Sequence, residues 1–196
     1  CHQGGIVHYS NGKVVGTTRE YDIENPYQNV IYALDDFKAS PLVAVPGESY
    51  NYTTRGYILL SAVVQRAGEA DFADQARERI FEPLGMTTMQ PDYQWEDIPG
   101  RAVGYRRPAR LVTRSTNTDV SWKLGGGGFI SSVTDLAIFA AGLIDDDLLD
   151  DETKAMMFTR QKVANGRETT YGLGIGVQHD DEGNLVVVHS CEPEWT

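Results

Sequence analysis

The residue pair best suited to covalent chemistry in this chain is a serine and a lysine three positions apart. Ser10 and Lys13 form its only Ser-x-x-Lys sequence. A serine hydroxyl attacks a carbonyl at neutral pH only when a nearby base takes its proton, and at the start of a helix this spacing places both side chains on one face. The intervening Asn11-Gly12 is a poor helix interior, however, and β-branched residues follow it. The local sequence therefore predicts a hairpin or a tight loop rather than a nucleophile helix.

Metal-ligating and glycine-rich segments are also present, without the spacing that their chemistry needs. Residues 179–182 with His189, and the acidic residues of 145–152, supply His, Asp and Glu side chains, but neither set has His-Glu-x-x-His or EF-hand spacing. We interpret both as solvated turns. The glycines of 125–128 lack the Gly-x-x-x-x-Gly-Lys-Ser/Thr pattern of a phosphate loop, so a cleft wall or close helix packing is the favoured interpretation. The sequence predicts neither a metal site nor a cofactor.

Composition places the chain among acidic globular proteins. It has 196 residues, of which 41% are hydrophobic and 23% are charged, which suits one domain over residues 1–196 with a sizeable core. The formal net charge of −11 argues against nucleic acid or an anionic membrane surface as a partner. No apolar run approaches the roughly 20 residues that span a bilayer. Cys1 and Cys191 have no Cys-x-x-Cys partner and predict no disulfide framework.

Apolar periodicity predicts the elements that must position any reactive residues. Helical spacing predicts helices over residues 26–39, 55–67, 71–81, 132–144 and 151–158. Asp71 is the expected N-cap of the third helix, and Ser132 begins a capping box with Asp135 at the fourth. β-branched runs predict strands over residues 102–105, 110–113, 171–177 and 185–189. The expected fold class is α+β, with the helices packed on an antiparallel sheet.

Six segments spread along the chain match known sequence motifs in order. In one-letter code they are HQGGI at residues 2–6, PGESYNYTTRGYILL at 46–60, IFEPLGM at 80–86, GGGFISSVTDL at 126–136, YGLGIG at 171–176 and HS at 189–190. Together they resemble the serine β-lactamase and penicillin-binding-protein family, and most closely its class C, esterase and mitochondrial β-lactamase-like branches. The resemblance implies the β-lactamase/transpeptidase-like α+β fold and the cleavage of amides or esters through an acyl-serine intermediate.

The resemblance also implies roles for residues in two of these segments. Tyr52 occupies the position of the family's second-motif tyrosine, a general acid/base whose phenol pKa a neighbouring lysine must lower. The alternative is a tyrosine that packs beside the turn at Pro46-Gly47. Thr54 stands where many relatives have Asn, and its hydroxyl retains one hydrogen bond to a substrate carbonyl. This change favours an esterase or peptidase over an efficient β-lactamase. Gly127 is expected in the substrate-binding wall of the cleft.

The third family motif falls at the end of the last predicted strand. His189 and Ser190 lie where the family begins its His/Lys-Ser/Thr-Gly triplet, which implies a catalytic role for His189 and substrate contact by Ser190. Cys191 takes the substrate-binding position of the triplet's glycine, and a side chain there would crowd substrate against the sheet. A strand-end histidine without a catalytic role is the alternative.

The nucleophile itself is expected outside this chain. The family places its Ser-x-x-Lys helix ahead of the segment that residues 2–6 resemble. We therefore expect residues 1–196 to lack that helix and the terminal strands of the sheet, and to be incomplete at both ends.

Two functions remain open for the complete protein. The first is a serine hydrolase without a cofactor, acting on a small-molecule or peptide substrate with an ester, peptide or amide bond, and with weak or no β-lactam hydrolysis. The second is a catalytically inactive binding or structural protein on the same fold. Neither the compartment nor the oligomeric state is indicated by the sequence.

Overall fold

One long helix, α1, organises the part of the chain that carries the candidate site. The computed structural model describes residues 1–17, 29–107, 111–115, 119–145 and 148–190. Helix α1 spans Thr54–Gly68, within one residue of the prediction at each end, because the apolar spacing that predicts it lies within the segment itself. Thr53 is its N-cap and accepts a hydrogen bond from Gly56 N at 3.2 Å. Ile58 and Ala62 belong to its buried face.

The helix predicted over residues 71–81 is divided in the structure. Helix α2 covers Phe72–Ala76, and a π-helical turn follows over Arg77–Phe81. Asp71 occupies the predicted N-cap position, but its side chain makes no capping hydrogen bond. Instead, Gln65 Oε1 on α1 accepts from Phe72 N at 3.1 Å. A side chain of the neighbouring helix has taken the place of the local cap.

The helix predicted over residues 26–39 is a short 3₁₀-helix, Tyr32–Asp36, in its described part. Residues 26–28 lie outside the described residues. Leu34 N donates to Ile31 O at 3.2 Å, the i→i+3 bond of this helix type. Thr17 N donates to Asp35 O at 2.7 Å. That carbonyl would pair with the amide of residue 39 in a continuing α-helix, so the contact with residue 17 helps to end the helix early.

The segment around Ser10 is a tight loop, the second of the two conformations predicted for it. His8 N donates to Asn11 Oδ1 at 2.6 Å, which closes the loop locally. Val15 N donates to Ser40 Oγ at 2.7 Å rather than to a neighbouring strand. Ser10 is exposed and lies in a bend, not on a helix. The local geometry therefore does not form the helical Ser-x-x-Lys arrangement with Lys13.

Strand pairing among the described residues consists of three two-stranded antiparallel ladders. Strands β1 (Gln90–Pro91) and β4 (Phe129–Ile130) form one ladder, and β2 (Tyr105–Arg106) and β3 (Thr113–Arg114) form another, at the C-terminal ends of their predicted strands. The third joins β5 (Gly176–His179) to β6 (Leu185–Val188), with Gly176 opposite Val188. The combination of helices with antiparallel strands confirms the α+β class.

Strand β5 begins at Gly176 rather than at residue 171. Gly172 N donates to Ile175 O at 2.8 Å, and Gly174 has a φ of 87°. These features bend residues 171–175 into a turn, because a left-handed residue cannot continue an extended strand. The turn brings Tyr171 toward the candidate site, as described below.

Helix α4 (Val133–Ile144) has the N-cap that the sequence predicts, and α5 (Asp151–Met157) follows it. Ser132 Oγ accepts from Asp135 N at 3.2 Å. The Asp135 carboxylate does not complete a capping box. Its Oδ2 accepts instead from Thr88 N at 2.6 Å and from Met89 N at 3.0 Å. Burial alone would raise the pKa of Asp135, but these hydrogen bonds outweigh it and lower the pKa.

The glycine run forms a close contact between α3 (Leu124–Gly127) and α1. A Cβ added at Gly125 would lie 2.5 Å from Ser61 Cβ, and one added at Gly126 would lie 2.4 Å from Thr54 Cγ2. Close helix packing, one of the two interpretations of this run, is therefore confirmed for these two glycines. Two buried apolar clusters flank the contact, and they contain Val7, Ala33, Phe37 and Ile58 in one and Val30, Ala62 and Leu124 in the other.

Candidate active site

Tyr52 lies immediately before the N-cap of α1, with 41% of its area exposed. Its ring packs against two histidines from the start of the chain. The ring centroid of Tyr52 lies 4.2 Å from that of His2 and 5.6 Å from that of His8. The structure therefore places the predicted acid/base residue on a well-supported segment that remains open to solvent.

His2 is the buried centre of this surface, with 6% of its area exposed. Its Nδ1 accepts a hydrogen bond from Thr53 N at 3.0 Å. An imidazole nitrogen that accepts must be unprotonated, so the hydrogen-bond geometry assigns the proton of the neutral ring to Nε2. Burial is the main cause that lowers the pKa of His2 to about 4, and an electrostatic interaction with His8 contributes to that value. His2 is therefore neutral at physiological pH.

Three further tyrosines surround His2. The ring centroids of Tyr57 and Tyr171 each lie 4.9 Å from the His2 ring, and that of Tyr50 lies 5.7 Å away. Burial raises the pKa of all three phenols, and neighbouring tyrosines raise it further. These three side chains are therefore neutral hydroxyls at physiological pH, which suits them to hydrogen bonding and packing rather than to proton abstraction.

Thr54 is the first residue of α1, and Gly127 is the last residue of α3. Thr54 is 9% exposed, and its backbone N donates to His8 Nδ1 at 3.2 Å. Its methyl group lies against Gly126. Gly127 follows with a φ of 137°, and a Cβ added there would meet nothing within 4 Å. Of these two predicted substrate contacts, Gly127 borders open space and Thr54 is largely enclosed.

His189 and Ser190 are exposed residues that follow β6. Burial is the main cause of the lowered pKa of His2, and an electrostatic interaction with His189 is a smaller one. Tyr171 connects His2 to the β5–β6 ladder, because it forms a β-bridge with Gly176 of β5 and its ring contacts the His2 ring. The structure thus places Tyr52 directly against His2, and His189 follows the strand pair to which Tyr171 is bridged. Cys191 lies outside the described residues.

Sequence reasoning missed His2 and His8 as members of this site. The sequence places His2 only in the motif segment at residues 2–6, and His8 only in the predicted loop around Ser10. Their partners lie 51 and 46 residues along the chain, so no local pattern of spacing reveals the contacts. The one available signal was the position of His2 at the start of a segment that resembles a family motif.

The acidic turns and the helices show no further site among the described residues. Within them, no group of three or more His, Cys, Asp or Glu side chains is arranged to hold a metal ion. Asp180 accepts from Asn184 N at 2.8 Å inside the β5–β6 hairpin, as expected for a turn residue. None of the helices in the described part of the chain is long and apolar enough to cross a membrane.

Comparison with known families agrees with the motif order. The family model described as Beta-lactamase matches residues 1–195. The chain belongs to the Beta-lactamase family. This result confirms the resemblance read from the six segments, and it assigns the chain to a family of serine hydrolases that includes penicillin-binding proteins and D-aminopeptidases.

Two curated family members show where the similarity lies. The human serine beta-lactamase-like protein LACTB, mitochondrial, is 35% identical over 127 residues, which cover 64% of this chain and 23% of that protein. Penicillin-binding protein 4* of Bacillus subtilis (strain 168) is 30% identical over 158 residues, which cover 74% of this chain and 35% of that protein. The chain therefore spans well under half the length of these relatives.

A solved structure of the same fold covers nearly the whole chain. The D-stereospecific amidohydrolase from Streptomyces sp. superposes with a TM-score of 0.71 at 22% identity, covering 96% of this chain and 58% of that one. A likeness at this identity shows the fold alone. It confirms the β-lactamase/transpeptidase-like α+β fold that the resemblance implied.

Proposed function

We propose that the complete protein to which these residues belong is a serine hydrolase that cleaves a small amide, peptide or ester through an acyl-serine intermediate. The observation that carries this proposal is the placement of Tyr52. It is exposed immediately before the N-cap of α1 and packs on the neutral, buried His2. Membership of the Beta-lactamase family supports the reaction class.

In this proposal Tyr52 carries the proton between the nucleophile and the leaving group. A serine from outside residues 1–196 attacks the carbonyl carbon, and Tyr52 accepts the proton of its hydroxyl. The same proton passes to the leaving amine or alcohol as the C–N or C–O bond breaks. Water then attacks the carbonyl carbon of the acyl-serine, and Tyr52 accepts a proton from that water. Tyr52 passes the proton to the serine oxygen as the acyl C–O bond breaks, which releases the acid and restores the serine.

Tyr52 needs a nearby cation for this role. An unperturbed tyrosine has a pKa of about 10 and is protonated at neutral pH. A positive charge within about 4–6 Å favours the phenolate. We expect the lysine of the Ser-x-x-Lys segment, in the part of the protein outside this chain, to supply that charge.

Substrate contacts are proposed for residues on both sides of His2. Gly127 borders open space beside α1, where backbone can approach a ligand closely. Ser190 follows His189 after β6, and we propose that Ser190 and Cys191, the next residue in the sequence, also contact substrate. The Thr54 hydroxyl is the weakest candidate, because this residue is only 9% exposed.

The substrate class follows from two departures from the family pattern. Thr54 stands where many relatives have Asn, and Cys191 replaces a glycine at the strand edge. Thr54 offers fewer hydrogen bonds to a bicyclic β-lactam than asparagine would. A cysteine side chain at position 191 leaves less space for such a substrate than glycine would. The amidohydrolase of the same fold and the D-aminopeptidase of Gluconobacter oxydans, which is 23% identical, support an amide or peptide substrate. We therefore propose weak or absent β-lactam hydrolysis.

The test is an intact mass spectrum of the complete protein before and after incubation with a fluorophosphonate, followed by assays on p-nitrophenyl esters, D-amino acid amides and benzylpenicillin. We expect one adduct and turnover of an ester or amide. Tyr52→Phe should lower kcat by about a hundredfold, whereas Tyr105→Phe, on the exposed strand β2, should leave it unchanged.

Three results would contradict parts of this proposal. The absence of both adduct and turnover would favour an inactive binding protein. A loss of less than threefold in Tyr52→Phe would leave Tyr52 as a packing residue. Rapid turnover of benzylpenicillin would overturn the preferred substrate class.

A further inference from the structure

Two histidines accept hydrogen bonds from consecutive backbone amides at the start of α1. Thr53 N donates to His2 Nδ1 at 3.0 Å, and Thr54 N donates to His8 Nδ1 at 3.2 Å. These amides belong to the N-cap and the first residue of the helix, where backbone N–H groups have no partner within the helix itself. Side chains from a distant loop therefore satisfy two donors that the N-cap hydroxyl does not, because Thr53 Oγ1 accepts from Gly56 N instead.

The same loop holds the chain on the other side of Tyr52. Asn51 N donates to His2 O at 2.8 Å, and Thr53 Oγ1 donates to Val7 O at 3.0 Å. The backbone is thus held immediately before and immediately after Tyr52. Its ring also packs on the ring of His2, at 4.2 Å, and on that of His8, at 5.6 Å. Main chain and side chain of Tyr52 are both supported by this one segment.

We propose that His2 and His8 are positioning residues that hold Tyr52 in place for proton transfer. Each does so through its Nδ1 atom, which accepts a hydrogen bond from the backbone N–H of Thr53 or Thr54 respectively. This inference rests on the proposed role of Tyr52. Proton transfer depends strongly on geometry, and a displacement of about 1 Å can cost about a hundredfold in rate. Neither histidine touches the reacting atoms in this account, and both act through the backbone on either side of Tyr52.

The hydrogen bonds define which substitutions preserve the contact. Only an unprotonated Nδ1 accepts, so each ring must be neutral with its proton on Nε2. Asparagine places its Oδ1 at the same distance along the side chain as histidine Nδ1, and leucine offers no acceptor. His2 has a φ of 54°, a left-handed conformation that asparagine tolerates and leucine does not. Comparison of His8→Leu with His8→Asn, together with His2→Asn, therefore distinguishes the effect of losing the hydrogen-bond acceptor from the effect of losing the imidazole ring.

The first test measures steady-state kinetics of the complete protein on its ester or amide substrate. His8→Leu should lower kcat about tenfold or more with KM nearly unchanged. His8→Asn and His2→Asn, which keep the acceptor, should stay within about threefold of the wild-type kcat. Equal losses in His8→Leu and His8→Asn, or a loss confined to KM, would overturn the proposal. Circular dichroism spectra of all variants should match the wild-type spectrum.

The second test does not require activity. In ¹⁵N NMR spectra of the complete wild-type protein, His2 and His8 should show the neutral tautomer with Nε2 protonated. The Thr53 and Thr54 amides should exchange slowly with D₂O, and Thr54 should exchange faster in His8→Leu but not in His8→Asn. An Nδ1-protonated tautomer, or rapid exchange of both amides in the wild type, would overturn the proposal. A protein without hydrolytic activity would overturn the proposed function, while the tautomers and exchange rates still decide whether the two histidines hold these amides.

Discussion

The contact between α3 and α1 predicts that Gly125→Ala destabilises the protein, although alanine favours helix more than glycine does. Intrinsic propensity would stabilise the variant by at most about 1 kcal/mol. The added Cβ, however, would lie 2.5 Å from Ser61 Cβ and 2.7 Å from Tyr57 O. A backbone oxygen yields only if α1 moves, so the overlap should cost about 3 kcal/mol, the upper part of the usual range for overpacking. The net expectation is a loss of about 2 kcal/mol.

Urea unfolding of the complete protein measures this difference. Trp122 lies in the 3₁₀-helix Ser121–Lys123 directly before α3 and provides a fluorescence signal close to the change. Gly4→Ala is the matched control, because its added Cβ would meet Ile6 Cγ1 at 3.6 Å, an ordinary contact, and it should change stability by no more than about 0.5 kcal/mol. A Gly125→Ala protein as stable as the wild type would refute the reasoning, since propensity would then outweigh packing at this contact.

Two further predictions concern buried polar groups. The pKa of His2 is lowered by burial from 6.5, the value of an unperturbed histidine, to about 4 in the folded protein. The unfolded state therefore takes up the proton first, and the free energy of unfolding falls as the pH drops from about 6.5 to about 4. His2→Asn should flatten this fall in urea unfolding at several pH values, and an unchanged pH profile would contradict the burial argument. Gln65→Leu leaves Phe72 N without its side-chain acceptor and removes one of the two hydrogen bonds to Asn29 Oδ1, which still accepts from Ile31 N, and should cost about 2 kcal/mol. The neighbouring exposed Arg66→Leu should cost no more than about 0.5 kcal/mol, and similar losses in both variants would count against a structural role for Gln65.

Elements whose signals lie within their own sequence were predicted well. Helix α1 was predicted to within one residue at each end because its apolar spacing and its terminus are local features. The same holds for Ser132, which caps α4 with its own hydroxyl. The order of the family motifs was likewise a property of the sequence, and the family match over residues 1–195 confirms it. Tyr52 was selected by that order before its surroundings were known.

Features that depend on contacts between distant segments were decided only by the tertiary structure. Gln65 caps α2 in place of Asp71, and a hydrogen bond from Thr17 helps to end the 3₁₀-helix that periodicity had extended. The support of Tyr52 is of the same kind, because His2 and His8 reach their partners across 51 and 46 residues. A backbone N–H donates to whichever acceptor the fold brings within about 3 Å. Sequence periodicity predicts which face of a helix is buried, and the fold determines which side chain meets the amides at a helix end that is capped from a distant segment.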